Sequence, residues 1–177
     1  MGAANRVINV VIAGLGGQGV ITASDILAEA AFRAGYDVKK SELHGMSQRG
    51  GSVSSDVRFG PQVLSPMAPP GEADFLVVLA ADEVEPNRHR LRAEGALIAP
   101  DLIDETALQN RRSLNVALLG ALSGSLPEIP ENFWLEALLA NLPEKLHDAN
   151  KQAFAVGRAA AAGGRSPASG GRPTLNC

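Results

Sequence analysis

Two stretches of the sequence carry residue types that could do chemistry, and the first is a glycine-rich loop that reads IAGLGGQGV at residues 12–20. Its G-x-G-x-x-G spacing, between a buried strand and a helix, directs backbone N–H groups and the positive helix end toward an anion. The motif and the residues inside it are Gly14, Gly16, Gly17, Gln18 and Gly19. The motif alone leaves two interpretations open: a nucleotide or phosphate site, or a tight turn whose glycines allow another backbone to approach.

A dinucleotide site also needs an acidic residue about 20 positions after the glycines, at the tip of the second strand. Glu42 follows Gly19 by 23 positions and is a tolerable match. The extra glycine and amide at Gly17 and Gln18 fit the dinucleotide fingerprint less well. A stand-alone NAD(P)-dependent dehydrogenase is therefore one hypothesis for this chain.

The second stretch is HGMSQRGG at residues 44–51, which follows a predicted strand and contains too much glycine for a helix interior. Its candidate residues are His44, Gln48, Arg49, Gly50 and Gly51. A histidine can act as an acid or base near neutral pH, and an arginine can bind a phosphate or carboxylate. Because both stretches follow strands that point the same way, we expect them to meet at one edge of a sheet. The alternative is that His44 and Arg49 bind their own loop or a partner chain.

The other polar residues favour structural roles. The sequence has no serine or cysteine in a recognisable nucleophile motif, no obvious carboxylate pair and no metal-ligand spacing among its histidines. These residues therefore predict no nucleophile and no metal site, and the acid–base role of His44 stays open. The arginines at 88–92 and 111–112 are interpreted as solvent-exposed, and Asn115 and Asn150 are expected to bind neighbouring backbone.

The elements that must position the two loops follow from hydrophobic periodicity. A β-branched run at 6–13 predicts a strand buried on both faces, and apolar residues at helical spacing predict a helix over 19–34. Further strands are predicted at 36–43, 50–59, 74–81 and 96–99, and helices at 83–93, 131–142 and from 143 to about 162, with an alanine- and leucine-rich segment at 114–122. The expected fold is α/β: a mostly parallel, Rossmann-like sheet flanked by helices, with a helical C-terminal third.

Composition is that of a soluble globular protein. The 177 residues suit one domain, and neither the net charge of −3 nor the 4% aromatic content suggests a nucleic-acid or membrane surface. The single cysteine, Cys177, cannot form an intrachain disulfide or hold an iron–sulfur cluster. No signal peptide or membrane helix is evident, so we expect a cytoplasmic protein. A domain at 1–162 is expected to precede a disordered tail at 163–177, which is rich in glycine, serine and proline.

The order of motifs resembles that of one known family. GLGGQGV, SELHGMSQRGGSVSSDVRFG, GEADFLVVL, N-x-x-x-L-G and N-x-x-A-F-x-x-G follow one another as in the gamma-type domain of 2-oxoacid:ferredoxin oxidoreductases, over about residues 7–162. These enzymes oxidatively decarboxylate 2-oxoacids to acyl-CoA. The HGMSQRGG loop is similar to that of indolepyruvate ferredoxin oxidoreductase beta subunits, whereas the pyruvate and 2-oxoglutarate forms tend to carry YGPExRGG.

The resemblance implies a non-catalytic subunit that is inert alone. In this family thiamine diphosphate, magnesium and the iron–sulfur clusters belong to a large alpha subunit, CoA is the co-substrate and ferredoxin accepts the electrons. The implied reaction converts an arylpyruvate, CoA and oxidised ferredoxin into aryl-acetyl-CoA, carbon dioxide and reduced ferredoxin. The candidates in the two loops are then expected at the partner interface or near CoA or a diphosphate. The dehydrogenase remains an alternative, as does a binding module that has kept the fold without the oxidoreductase link.

Overall fold

The strands lie mainly in the first part of the chain and the longer helices mainly in the last. The computed structural model describes residues 5–45, 50–163 and 168–169. The strands are β1 (Ile8–Leu15), β2 (Asp37–His44), β3 (Ser52–Gly60), β4 (Ala73–Val78), β5 (Leu91–Ile98) and β6 (Ala168–Ser169). The helices are α1 (Val20–Arg33), α2 (Val84–Asn87), α3 (Leu114–Gly124), α4 (Glu131–Asn141) and α5 (His147–Ala162). Apart from Gly163 and β6, the tail predicted at 163–177 lies outside the described residues.

The sheet has the strand order β2-β3-β1-β4-β5-β6. Helices flank it, and the C-terminal third is helical, so the predicted α/β class is confirmed. The sheet is mixed rather than mostly parallel: β1, β4 and β5 are parallel, while β3 is antiparallel to both of its neighbours. The reason is local, because the connection from β2 to β3 is a hairpin loop without the crossover that parallel neighbours require. Since β1 and β2 both oppose β3, they run in the same direction, as predicted.

The main hydrophobic core lies between the sheet and the helices. Val10 to Ala13 of β1 are fully buried, as expected for a strand covered on both faces. The core side chains of α1 recur at helical spacing, from Val20 to Ala31, and include every position predicted from the sequence. A smaller cluster on the opposite face, built around Val11 and Leu76, packs under the proline-rich loop that follows β3. This double cover holds the C-terminal end of β1 rigidly in place.

Helices α3 and α5 pack against each other backbone to backbone. Gly157 of α5 faces Ala117 of α3, and a Cβ atom built on Gly157 would overlap the Ala117 carbonyl oxygen. Gly120 of α3 faces Phe154 in the same way, with the carbonyl carbon of Phe154 2.9 Å from a Cβ placed on Gly120. Only residues without a side chain allow this approach, so the contact depends on the two glycines.

Arg90 and Arg92 pair with buried carboxylates, so their interpretation as part of a solvent-exposed helix face was wrong. The predicted helix at 83–93 is replaced by the one-turn α2, a 3-10 turn at Arg88–Arg90 and then β5. Arg90 lies 2.5 Å from Asp56, and Arg92 lies 2.9 Å from Asp74. Both carboxylates are almost fully buried on the sheet, and these partners provide the charge that a buried carboxylate needs.

Asp37, at the start of β2, supports a prediction about pH. Its Oδ2 accepts a 2.7 Å hydrogen bond from the Val63 N–H, and this bond holds the pKa of Asp37 below its ordinary value of 3.8. A depressed carboxyl pKa contributes stability above the unfolded pKa and loses it as pH falls through the folded pKa. We expect wild type to melt slightly above Asp37→Asn at pH 7, and the difference should be lost as pH falls below 3.8 and through the lowered pKa of Asp37. Thermal melts across this range, with the exposed Glu94→Gln as control, test this; a constant difference would contradict it.

Candidate functional site

The glycine loop between β1 and α1 is closed by its own glutamine. Gly17 and Gly19 have φ values of +88° and +84°, which other residues rarely adopt. The Gln18 side-chain oxygen accepts a 2.8 Å hydrogen bond from the Leu15 N–H, and the Gln18 N–H donates back to the Leu15 carbonyl at 3.1 Å. Gly14 is buried beneath, where a Cβ would lie 2.9 Å from the Gln18 oxygen. The turn is therefore rigid and leaves its tip at Gly16 and Gly17 exposed.

The second loop meets the glycine loop at one edge of the sheet, as predicted. The Gly16 N–H donates to the Gly51 carbonyl at 2.9 Å, and a Cβ on Gly16 would lie 3.6 Å from the Gly50 nitrogen. His44 ends β2 beside them and has an exposed ring. Of the candidates in this loop, Gln48 and Arg49 lie outside the described residues. The contact supports the interpretation of the glycine-rich loop as a tight turn that another backbone approaches, since the backbone of Gly50 and Gly51 lies against Gly16.

The start of α3 forms the third side of the site through Asn115. Its Nδ2 donates to the Gly19 carbonyl at 3.2 Å, and its Oδ1 accepts from the Val116 N–H at 2.9 Å. A Cβ on Gly19 would lie only 3.3 Å from the Asn115 Cγ. Asn115 therefore fixes the start of α1 against the start of α3. The backbone role predicted for both asparagines is confirmed, because Asn150 donates to the Leu146 carbonyl at 2.8 Å.

Three adjoining cavities run along this edge, and we call them together the edge groove. The first, of about 390 Å³, is lined by Gly17, Gln18, Leu79, Arg111, Arg112, Leu114 and Asn115. The second, of about 360 Å³, shares Gly17 with the first and extends to His44 and Val53. The third, of about 230 Å³, shares His44 and Val53 with the second and ends at Glu83 and Asn87.

The edge groove has opposite charges at its two ends. Arg111 and Arg112 are exposed at the first cavity, and the part of the chain that the structure describes places no carboxylate within 4.0 Å of either guanidinium. Glu83 is buried at the third cavity. Between them stands His44, whose Nε2 lies 3.8 Å from Glu42. Glu42 itself is held by Lys40 at 2.6 Å, and this hydrogen bond lowers the pKa of Glu42.

The geometry does not favour a dinucleotide site. In that fold the strand bearing the ribose-binding acid lies directly beside the first strand, whereas here β3 separates β2 from β1. Two strand spacings amount to about 10 Å, so Glu42 is one strand too far from the glycine loop. Its carboxylate is also engaged by Lys40. Glu42 therefore cannot serve as the ribose-binding acid that the stand-alone dehydrogenase hypothesis requires.

Sequence reasoning did not assign Arg111, Arg112 or Glu83 to the site. Arg111 and Arg112 stand directly before α3, and only the packing of α3 beside the glycine loop brings them to it. Glu83 follows the carboxyl end of β4, a strand parallel to β1, and this position could have assigned Glu83 to the same edge of the sheet.

Among the described residues, no group of three or more His, Cys, Asp or Glu side chains is arranged to hold a metal ion. No helix in the same part of the chain is long and apolar enough to span a membrane.

Comparison with known proteins gives consistent results. The sequence model of the pyruvate ferredoxin/flavodoxin oxidoreductase family matches residues 9–107. The chain is 35% identical to the indolepyruvate oxidoreductase subunit IorB of Thermococcus kodakarensis, over 86% of this chain and 95% of that protein. It is similar to the crystal structure of a keto/oxoacid ferredoxin oxidoreductase gamma subunit from Geobacter sulfurreducens, with a TM-score of 0.75, 25% identity and coverage of 88% and 99% of the two chains.

A longer protein contains the same fold as one part of its chain. It is the 2-oxoglutarate:ferredoxin oxidoreductase from Magnetococcus marinus, whose structure has 2-oxoglutarate, coenzyme A and succinyl-CoA bound. The match has a TM-score of 0.77 at 21% identity and covers 94% of this chain but 34% of the other. At this identity the likeness concerns the fold.

Proposed function

Since this chain belongs to the pyruvate ferredoxin/flavodoxin oxidoreductase family, we propose that it serves as the small subunit of an indolepyruvate-type 2-oxoacid:ferredoxin oxidoreductase. The complex would act in the cytoplasm, converting an arylpyruvate and CoA into aryl-acetyl-CoA and carbon dioxide while two electrons pass to ferredoxin. The observation that carries the proposal is the 35% identity to an IorB subunit over 95% of its length. The HGMSQRGG loop supports the same substrate class.

The cofactors of this reaction are proposed to lie on a large alpha subunit. Bound there, thiamine diphosphate with magnesium would supply an electron sink for decarboxylation, and iron–sulfur clusters would carry the electrons. The residues of this chain do not fit a cluster, because a cluster needs several thiolates and the sequence contains only Cys177. We therefore assign this chain no catalytic group and no cofactor of its own.

The edge groove is proposed to hold the phosphates of CoA against the partner. Arg111 and Arg112 supply two exposed guanidiniums to the first cavity, and the start of α1, at Val20 and Ile21, supplies a positive helix end to the adjoining second cavity. Guanidinium groups and helix N-termini both favour phosphate. The remaining candidates, proposed to lie at the interface or near CoA, are Gly16, Gly19, His44, Gln48, Arg49, Gly50 and Gly51, while Gly14 is buried beneath the glycine loop and supports it. In this arrangement the chain binds and orients the co-substrate while the partner performs the chemistry.

Isolation of the tagged chain from its host under anaerobic conditions tests the proposed function. A large subunit with the visible absorption of iron–sulfur clusters is expected to co-elute, and the complex should reduce ferredoxin with indolepyruvate and CoA. The chain alone should show no turnover. Activity of the complex with pyruvate but not with arylpyruvates would contradict the substrate class, and turnover by the isolated chain would contradict the subunit role.

A further inference from the structure

Three carboxylates are buried in the described part of the chain, and one of them has no cation. Asp56 is paired with Arg90 at 2.5 Å, and Asp74 is paired with Arg6 and Arg92 at 2.9 Å. Glu83, which is 8% exposed, has no lysine, arginine or histidine nitrogen of the described residues within 4.0 Å. This fold elsewhere gives a buried carboxylate an arginine, as the cost of burying an unpaired charge requires.

The surroundings of Glu83 are built to hold its carboxylate in one place. Its Oε1 accepts from the Ser52 hydroxyl at 2.8 Å, and its Oε2 lies 3.3 Å from the Asn87 amide nitrogen. The Asn87 amide also donates to the Glu83 carbonyl at 2.9 Å, so Asn87 is fixed as well. Neutral donors orient the carboxylate without neutralising it. Its charge therefore remains directed into the third cavity of the edge groove.

That cavity has the form of a receptor for a long basic side chain. It is open to solvent, and on the face of the hairpin that carries Ser52, the partner of Glu83, it is lined by Leu43 and Ser54. Leu43 is 48% exposed, one of the few large apolar side chains on the described surface. Lysine and arginine place an apolar stem against such surfaces and carry their charge at the tip. An exposed leucine beside a buried carboxylate matches both parts of such a side chain.

We propose that Glu83 receives a lysine or arginine side chain of the partner subunit, which enters the third cavity when the complex forms. This inference rests on the proposed function, since it needs a partner that covers the edge groove. The stem packs against Leu43, and the ammonium or guanidinium group pairs with the Glu83 carboxylate. Pairs of this kind, desolvated on complex formation, are among the contacts whose loss weakens association most.

The test compares the dissociation constant of the complex between wild type and Glu83→Gln, using the full chain and the co-purified large subunit. Glu83→Gln keeps the shape and an oxygen that accepts from the Ser52 hydroxyl, but it removes the charge and the long contact with Asn87. We therefore expect the dissociation constant to rise about 10- to 100-fold. Asp82→Asn is the matched control, because it removes the neighbouring exposed charge, and it should change the constant less than about twofold. Glu83→Asp should recover part of the affinity.

Thermal unfolding of the isolated chain separates this role from a structural one. Glu83→Gln should leave the melting temperature unchanged or raise it, because the free chain no longer buries an unpaired charge. A lowered melting temperature with an unchanged dissociation constant would overturn the proposal, since it would indicate pairing within the chain, for example with Arg49.

A substitution at the exposed Leu43 tests the same proposal if Glu83→Gln does not fold. Leu43→Ala trims an exposed side chain and should still weaken association several-fold, whereas unchanged affinity would overturn the proposal. If wild type itself binds no large subunit, the proposed function is wrong. If wild type forms the complex and Glu83→Gln binds equally well, only the role of Glu83 is wrong.

Discussion

Replacing Gly157 with alanine is expected to lower the free energy of unfolding by about 3 kcal/mol, at the upper end of the usual range for overpacked interiors. The new Cβ would overlap the Ala117 carbonyl oxygen and lie 2.7 Å from its carbon and 2.9 Å from the Ala121 nitrogen. All three are backbone atoms, so no side-chain rotation can relieve the overlap, and α3 and α5 must move apart. For a chain of this size the melting temperature should fall by about 6–12 °C.

Gly124→Ala is the matched control for this prediction. Gly124 ends α3, and a Cβ there would lie 3.6 Å from the Ala161 Cβ, an ordinary contact. Helix propensity alone favours alanine over glycine by up to about 1 kcal/mol in both helices. The two substitutions are therefore expected to act in opposite directions on stability. A Gly157→Ala chain as stable as Gly124→Ala would show that the helices are not in backbone contact.

Removing both arginines of the first cavity is expected to give the largest effect on activity. In the complex, Arg111→Ala combined with Arg112→Ala should raise the KM for CoA about 10- to 100-fold, because each charge-assisted hydrogen bond contributes about 1.5–3 kcal/mol and both groups are partly solvated. The kcat at saturating CoA should change little, since neither group is proposed to contact the reacting carbon. Steady-state ferredoxin reduction at varied CoA measures both constants.

Two further measurements identify what the arginines bind. Arg88→Ala is a suitable control, because Arg88 pairs with the exposed Glu85 away from the cavity, and it should leave the KM for CoA unchanged. The dissociation constant of the subunit complex should be similar in wild type and the double variant. An unchanged KM together with a weakened complex would instead assign the two arginines to docking.

The local patterns of the sequence predicted the elements around the glycine loop well. The apolar run of β1 and the helical spacing of α1 arise from burial over a few neighbouring residues, and both elements lie within two residues of their predicted bounds. The meeting of the two loops also followed from strand direction alone. The family resemblance was confirmed in the same region, which the family match spans.

Contacts between residues distant in the sequence were not predictable from local patterns. The segment at 83–93 has a helical composition, but Arg90 and Arg92 are drawn to Asp56 and Asp74, so the chain extends into β5 instead. The antiparallel pairing of β3 with β1 likewise could not be predicted from the sequence of either strand. Glu83 and the arginines before α3 reach the edge groove only through such long-range packing.

In the hairpin formed by β2 and β3, the fold requires the paired strands but not a particular length of the segment that connects them. Its strands are paired continuously up to His44 and Val53, and the Gly45 N–H closes the ladder on the Ser52 carbonyl at 2.7 Å. Any segment that joins these two points leaves the sheet register intact, and doubling its length costs only about 0.6 kcal/mol of closure entropy. Changes of length in this segment are therefore expected to leave the two strands and their pairing unaltered.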